Sequence, residues 1–149
     1  MSYTRFLYHI VFRTKCSMNV ISESHEKDLY AYIYGFIKNK GAVLYRISGM
    51  PNHIHLLVDI PPSLSVSSFM QELKTSSSRW LKSNQDFSQF QGWAEGYAAF
   101  TYSLNEKETI INYIMNQKEH HKVETFEDEY RHFIEESGIK IDEKYFLKD

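Results

Sequence analysis

His53 and His55, one residue apart, are the side chains of this chain best placed by spacing to do chemistry. They begin the run HIHLLVDI, which alternates as a β-strand does, and strand residues two apart project to the same side. Both imidazoles then face one way, close enough to share a metal ion. Ile54, Leu56, Val58 and Ile60 supply an apolar opposite face for a core. Further along, Tyr113 and Gln117 are four apart, a spacing that stacks them on one side of a helix. A tyrosine hydroxyl near a bound cation is a plausible nucleophile, and phosphoryl transfer suits it because the cation neutralises the phosphate oxygens. Two imidazoles and an amide oxygen make three protein ligands and leave positions open for substrate. Imidazole favours softer ions, the amide oxygen favours Mg²⁺ or Mn²⁺, and manganese tolerates both.

The elements that must position these residues follow from periodicity. Residues 3–13 alternate as a strand, with Phe6, Tyr8, Ile10 and Phe12 on one face and Arg5, Leu7, His9, Val11 and Arg13 on the other. The spacing of Leu29, Ile33, Phe36 and Ile37 predicts a helix over 22–39, capped by Ser22 or Ser24 and stopped at Gly41. Residues 42–49 read as a second strand, Gly49-Met50-Pro51-Asn52 as a turn, and the histidine strand as the other arm of a hairpin. Pro61-Pro62 ends that arm. Ser63 or Ser65 caps a helix reaching about Leu81, a polar loop covers 83–95, and residues 96–103 form a last strand. A third helix is expected over 104–121, opened by a Ser103–Glu106 capping box, with Ile110, Ile111, Ile114 and Met115 as its apolar stripe. From about Lys122 the chain is acidic, read as a short helix and a tail. The order β-α-β-β-α-β plus a helix predicts an α+β, ferredoxin-like antiparallel sheet with two helices on one face, the other left open or covered by something else.

Composition sets limits. At 149 residues the chain is expected to form one domain, residues 1–149. No apolar run approaches the roughly 20 residues that span a bilayer, the N-terminus lacks a signal-peptide pattern, and the single cysteine, Cys16, suits a reducing cytoplasm. The net charge of −2 hides an asymmetry. Residues 1–82 hold 10 Lys/Arg and 5 Asp/Glu, whereas residues 83–149 hold 7 and 14. A polyanion can meet the first part. The 11 Tyr, 10 Phe and 2 Trp offer rings for unpaired bases as well as for a core.

Together these motifs resemble the single-tyrosine HUH transposases, the IS-two-hundred-like class and its repeat-associated relatives. The HUH motif is His53-Ile54-His55, preceded by Met50-Pro51-Asn52; the nucleophile motif is Tyr113-Ile114-Met115-Asn116-Gln117. Gly96-Tyr97, His120-His121 and Phe126-Glu127-Asp128-Glu129-Tyr130 extend the likeness. The resemblance implies that His53, His55 and Gln117 bind a divalent metal, Mg²⁺ or Mn²⁺. It implies that Tyr113 attacks single-stranded DNA to form a 5′-phosphotyrosine link, and that the released 3′-hydroxyl later rejoins strands. It further implies substrates with hairpins at element ends and a homodimer, in some members with active sites shared between subunits. The segment after the first strand departs from the pattern: Lys15-Cys16-Ser17 lacks a following arginine.

Arg13, Lys15, Lys74 and Arg79 are candidate contacts to the DNA backbone. His9 is expected to face the histidine pair if strands one and three are neighbours. His120 and His121 read as packing or surface, with His120 the nearer to the site, and Trp93 as core or loop anchor. Two other classes remain open on the residues alone: a non-catalytic single-stranded nucleic-acid-binding module, and a metal-dependent hydrolase that uses water. A domesticated relative acting on dispersed repeats is a variant of the first reading.

Overall fold

A computed structural model describes all 149 residues. In chain order the elements are β1 (Leu7–Arg13), α1 (Glu26–Asn39), β2 (Val43–Met50), β3 (His53–Asp59), α2 (Val66–Lys82), β4 (Ala98–Tyr102), α3 (Lys107–Met115), α4 (Gln117–His120) and α5 (Phe126–Glu136). The strands form one antiparallel sheet in the order β2-β3-β1-β4. This is the expected ferredoxin-like arrangement, with β3 and β1 at its centre. No helix is long and apolar enough to cross a membrane.

Alternation divides the sheet into two faces. Ile10 and Phe12 of β1 and Ile54, Leu56 and Val58 of β3 point into the main core. There they meet Leu29, Ile33 and Ile37 of α1 and Phe69, Met70 and Leu73 of α2. The other face carries His9, His53 and His55 among apolar neighbours, and it is not open. Leu7 and Leu57 pack against Ile110 and Ile114 of α3, and Val11, Ala98 and Phe100 pack against Phe126 of α5. The segment read as an acidic tail therefore covers half of the functional face.

Several boundaries differ from the sequence reading. β1 begins at Leu7, not residue 3. α1 begins at Glu26, and neither Ser22 nor Ser24 caps it, because residues 22–25 form a turn closed by His25 N–H to Ser22 O (3.1 Å). Ser65, not Ser63, caps α2, its hydroxyl accepting from Ser68 N–H at 3.1 Å. The expected third helix is broken. A tight turn at Leu104–Glu106, held by the Ser103–Glu106 capping box, precedes α3, and the chain bends at Asn116 before α4. The Asn116 amide donates to Asn112 O at 2.9 Å, a local bond of the kind that competes with a continuing helix. Just before that bend Met115 is 48% exposed and outside the apolar stripe.

The β2–β3 hairpin depends on a missing side chain. A Cβ on Gly49 would lie 2.1 Å from His53 O, so only glycine lets the two strands pair there. Gly49→Ala is expected to destabilise the fold by about 1–3 kcal/mol, as overpacking does. Gly35→Ala, within α1 and with nothing near the added methyl, should stabilise by about 0.5–1 kcal/mol. Urea denaturation of both variants checks the pair, and equal effects would refute the steric account.

Candidate active site

The site is built where β3, α3, α4 and α5 converge. His53 and His55 are both completely buried on one side of β3. Gln117, the first residue of α4, brings its Oε1 to 3.0 Å from His53 Nε2. Tyr113, one turn earlier on α3, donates its hydroxyl hydrogen to Glu129 Oε2. Four residues read from sequence as one constellation are thus in one place, despite the bend at Asn116. That bend swings α4 without separating Tyr113 from Gln117, because both donate to Glu129 Oε2, the Gln117 amide at 3.0 Å.

Glu129 is the residue that sequence reasoning missed. It lies on α5, whose first turn is fixed by Thr125 Oγ1 accepting from Asp128 N–H at 3.2 Å. Its Oε1 is 3.2 Å from His55 Nε2, 3.4 Å from His53 Nε2 and 3.0 Å from His121 Nε2. Burial alone would raise this carboxyl, but the histidines around it, His121, His53 and His55, outweigh it and hold Glu129 well below the usual carboxylate range. The sequence signal is its place in the Phe126-Glu127-Asp128-Glu129-Tyr130 stretch of the resemblance, where it is one acid among several and has no role of its own. His121 is also corrected: read as packing or surface, it bonds Gln117 Oε1 at 3.1 Å and Glu129 Oε1 at 3.0 Å. His120 borders the site, its Nε2 3.5 Å from Glu129 Oε2.

Protonation states follow from these surroundings. Burial lowers His53 to about 4, against the pull of Glu129, so the ring is neutral near pH 7. Its Nδ1 is 2.7 Å from Asn52 Oδ1, which can only accept, so the single ring proton sits on Nδ1. His53 Nε2 then presents a lone pair to Gln117 Oε1 and Glu129 Oε1, which present lone pairs of their own. Bare acceptors facing one another repel, and a cation among them resolves the conflict. With His53, His55 and Glu129 forming a buried ligand set, these residues fit a divalent ion. Tyr113 is held protonated: burial and its bond to Glu129 both push its hydroxyl well above the usual phenol value.

The candidate DNA contacts fare differently. Arg13 is on the face of His53 but is 6% exposed and bound to Asp149 Oδ1 at 2.8 Å, so it is not free to meet a phosphate as it stands. Lys74 is anchored to the carbonyls of Ala94 and Gly96 and braces the loop before β4. Lys15 and Arg79 are exposed, Lys15 just past β1 and Arg79 on α2. Trp93 is the expected anchor, donating to Ser77 Oγ at 2.9 Å and packing on Phe12. His9 reaches the pair as expected, its Nε2 2.8 Å from His55 Nδ1.

The depressed His53 value carries a stability consequence. Between about pH 4 and 6.5 the unfolded chain binds a proton that the folded chain refuses, so stability falls as pH drops through that window. From this residue the loss reaches up to about 3 kcal/mol. Unfolding followed across that range in chelator should show the slope, and His53→Gln should flatten it; an unchanged slope would assign the acid sensitivity elsewhere.

Comparison with known proteins agrees with this geometry. Residues 2–117 match the protein family described as "Transposase IS200 like". The transposases for insertion sequence element IS200 of Salmonella typhimurium and of Salmonella typhi are each 31% identical over 121 residues, covering 78% of this chain and 79% of theirs. A crystal structure of a candidate transposase from Deinococcus radiodurans superposes with a TM-score of 0.58 at 25% identity, over 78% of this chain and 95% of that one. A REP-associated tyrosine transposase bound to a REP hairpin shares the fold, with a TM-score of 0.61 at 12% identity over 81% of this chain and 72% of that one. The match extends from β1 to Gln117, and so takes in both the histidine strand and the helix of Tyr113: the chain belongs to the IS200-like transposase family.

Proposed function

We propose that this transposase cleaves and rejoins single-stranded DNA through a 5′-phosphotyrosine intermediate at Tyr113, with metal ligands His53, His55 and Gln117 joined by Glu129. The observation that carries the reading is the convergence of Tyr113, Gln117 and both histidines on one buried carboxylate. Within one chain Tyr113 lies against the same carboxylate as Gln117 and the histidine pair. A divalent ion held there would neutralise charge on the scissile phosphate. Imidazoles beside amide and carboxylate oxygens suit Mn²⁺ better than Mg²⁺. Tyr113 supplies the attacking oxygen. Its proton must leave for attack; Glu129, which already accepts that hydrogen, is the base placed to take it, and the departing 3′ oxygen takes up a proton in turn. The phosphodiester bond to the 3′ oxygen breaks as the Tyr113 oxygen–phosphorus bond forms, leaving a 3′-hydroxyl that reverses the step on rejoining.

The substrate belongs to the same proposal: hairpins flanking a single-stranded cleavage site, as the hairpin-bound structural relative suggests. Lys15 and Arg79 are the exposed cations left to meet its backbone. A homodimer is also proposed, paired through a sheet edge; β2 and β4 are the two edge strands.

A second reading is favoured by one observation. His53 and His55 have no exposed surface, as a binding module that has lost its chemistry would allow. One assay separates the two. End-labelled single-stranded DNA carrying hairpins from the flanks of the gene is mixed with the protein and Mn²⁺, then run on a denaturing gel. The transposase reading expects label migrating with protein, abolished by chelator and by Tyr113→Phe. An adduct that survives Tyr113→Phe would overturn the nucleophile assignment. Tight DNA binding with no adduct in any metal would support the binding module.

A further inference from the structure

His9 is wholly buried on β1, on the functional face, and among the groups that meet at Glu129 its only polar contact is with His55. Its Nε2 is 2.8 Å from His55 Nδ1, and the two rings stack with centroids 5.1 Å apart. Its Nδ1 has no polar partner. Aromatic rings enclose the rest of it: Phe100, Tyr102, Tyr113 and, edge to face at 5.1 Å, Phe133. A leucine would fill such a box without leaving a polar atom unsatisfied, so packing alone does not account for an imidazole there.

We propose that His9 is the positioning residue of His55, the outer partner that turns the His55 Nε2 lone pair toward the cation. This rests on the reading of the site as a metal centre. The two site histidines would then each have an outer partner of their own. His53 has Asn52, a fixed acceptor that keeps the proton on Nδ1 in every state. Asn52 is itself pinned, since its backbone carbonyl accepts from Thr14 N–H at 2.9 Å. His55 has His9, which can both donate and accept.

The proton count closes. Without a cation, His55 Nε2–H donates to Glu129 Oε1, and His55 Nδ1 accepts from His9 Nε2–H. A cation held by His55 Nε2 would put the His55 proton on Nδ1, where it would donate to His9 Nε2, and the proton of His9 would then sit on its own Nδ1. Two neutral rings carry two protons in both arrangements. The pair thus serves two states of the site, a task for which a fixed acceptor such as Asn52 is unsuited. A mutated outer partner of a metal-ligating histidine typically costs 10–100-fold in metal affinity.

Mn²⁺ binding without DNA provides the test, with free Mn²⁺ read by electron paramagnetic resonance and folding checked by thermal unfolding in chelator. His9→Leu keeps the bulk and removes the acceptor, and should weaken Mn²⁺ binding by about 10–100-fold. His9→Gln restores an acceptor and should bind within severalfold of the parent; a residue needed only for packing would not show that rescue. If His9→Leu unfolds, His9→Gln set against His9→Met decides by the same criterion. Equal Mn²⁺ affinity in the parent and the apolar variant overturns the role of His9 and leaves the metal centre standing. A parent that binds no divalent ion overturns both.

Discussion

One carboxylate organises the functional half of this molecule. Glu129 is 2% exposed, and an isolated charge so placed would be prohibitively costly. It is tolerated because donors reach it from three directions: His55 from the sheet, Tyr113 and Gln117 from α3 and α4, and His121 from the turn after α4. Each of those donors is in turn placed by apolar contacts. Ile110 and Ile114 hold α3 on Leu7 and Leu57, and Phe126 holds α5 on Val11 and Phe100. The polar cluster is therefore framed by two small apolar ones, one on either side, and these confine it to the middle of the sheet.

How much of this was legible depends on the range over which a residue's meaning is set. The two faces of β3 are fixed by alternation within a single strand, so the histidine pair and the core residues Ile54, Leu56 and Val58 could be read directly. Tyr113 and Gln117 needed only local helical spacing, and their juxtaposition survives a bend at Asn116 that the apolar periodicity did not reveal. Glu129 and His121 could not be found this way. Their role depends on α5 folding back over the sheet, a long-range packing event driven by Phe126 and Phe133, and a helix rich in surface acids looks the same in sequence whether or not one of them turns inward. Arg13 shows the same range effect: it shares the face of His53, as alternation requires, and a side chain 136 residues away, that of Asp149, bonds it.

Charge tells a similar story. The acidic surplus after residue 82 looked like a solvated tail, and most of it is. Glu127, Asp128, Glu135 and Glu136 of α5 face solvent, while one acid of the same helix is turned into the cluster of histidines. Net charge described the helix correctly and its one functional residue not at all. Burial converts a generic carboxylate into a specific one, by removing water and leaving only fixed donors to answer it.

The same contact that stabilises this arrangement withholds its chemistry. While Tyr113 donates to Glu129, its oxygen is protonated and spoken for; while α5 covers the sheet, neither histidine offers surface to a phosphate. A cavity of about 300 Å³ also reaches Tyr113, lined by Glu124, Glu129 and Glu136 together with His120 and His132, so three carboxylates lie along that approach. A phosphodiester that meets Tyr113 and the histidine pair together must therefore displace α5 or part of it, and the interactions lost are the ones that hold Glu129. On the proposed reading, folding and catalysis draw on one set of donors, and a change that makes the closed cluster more stable is expected to slow attack by Tyr113.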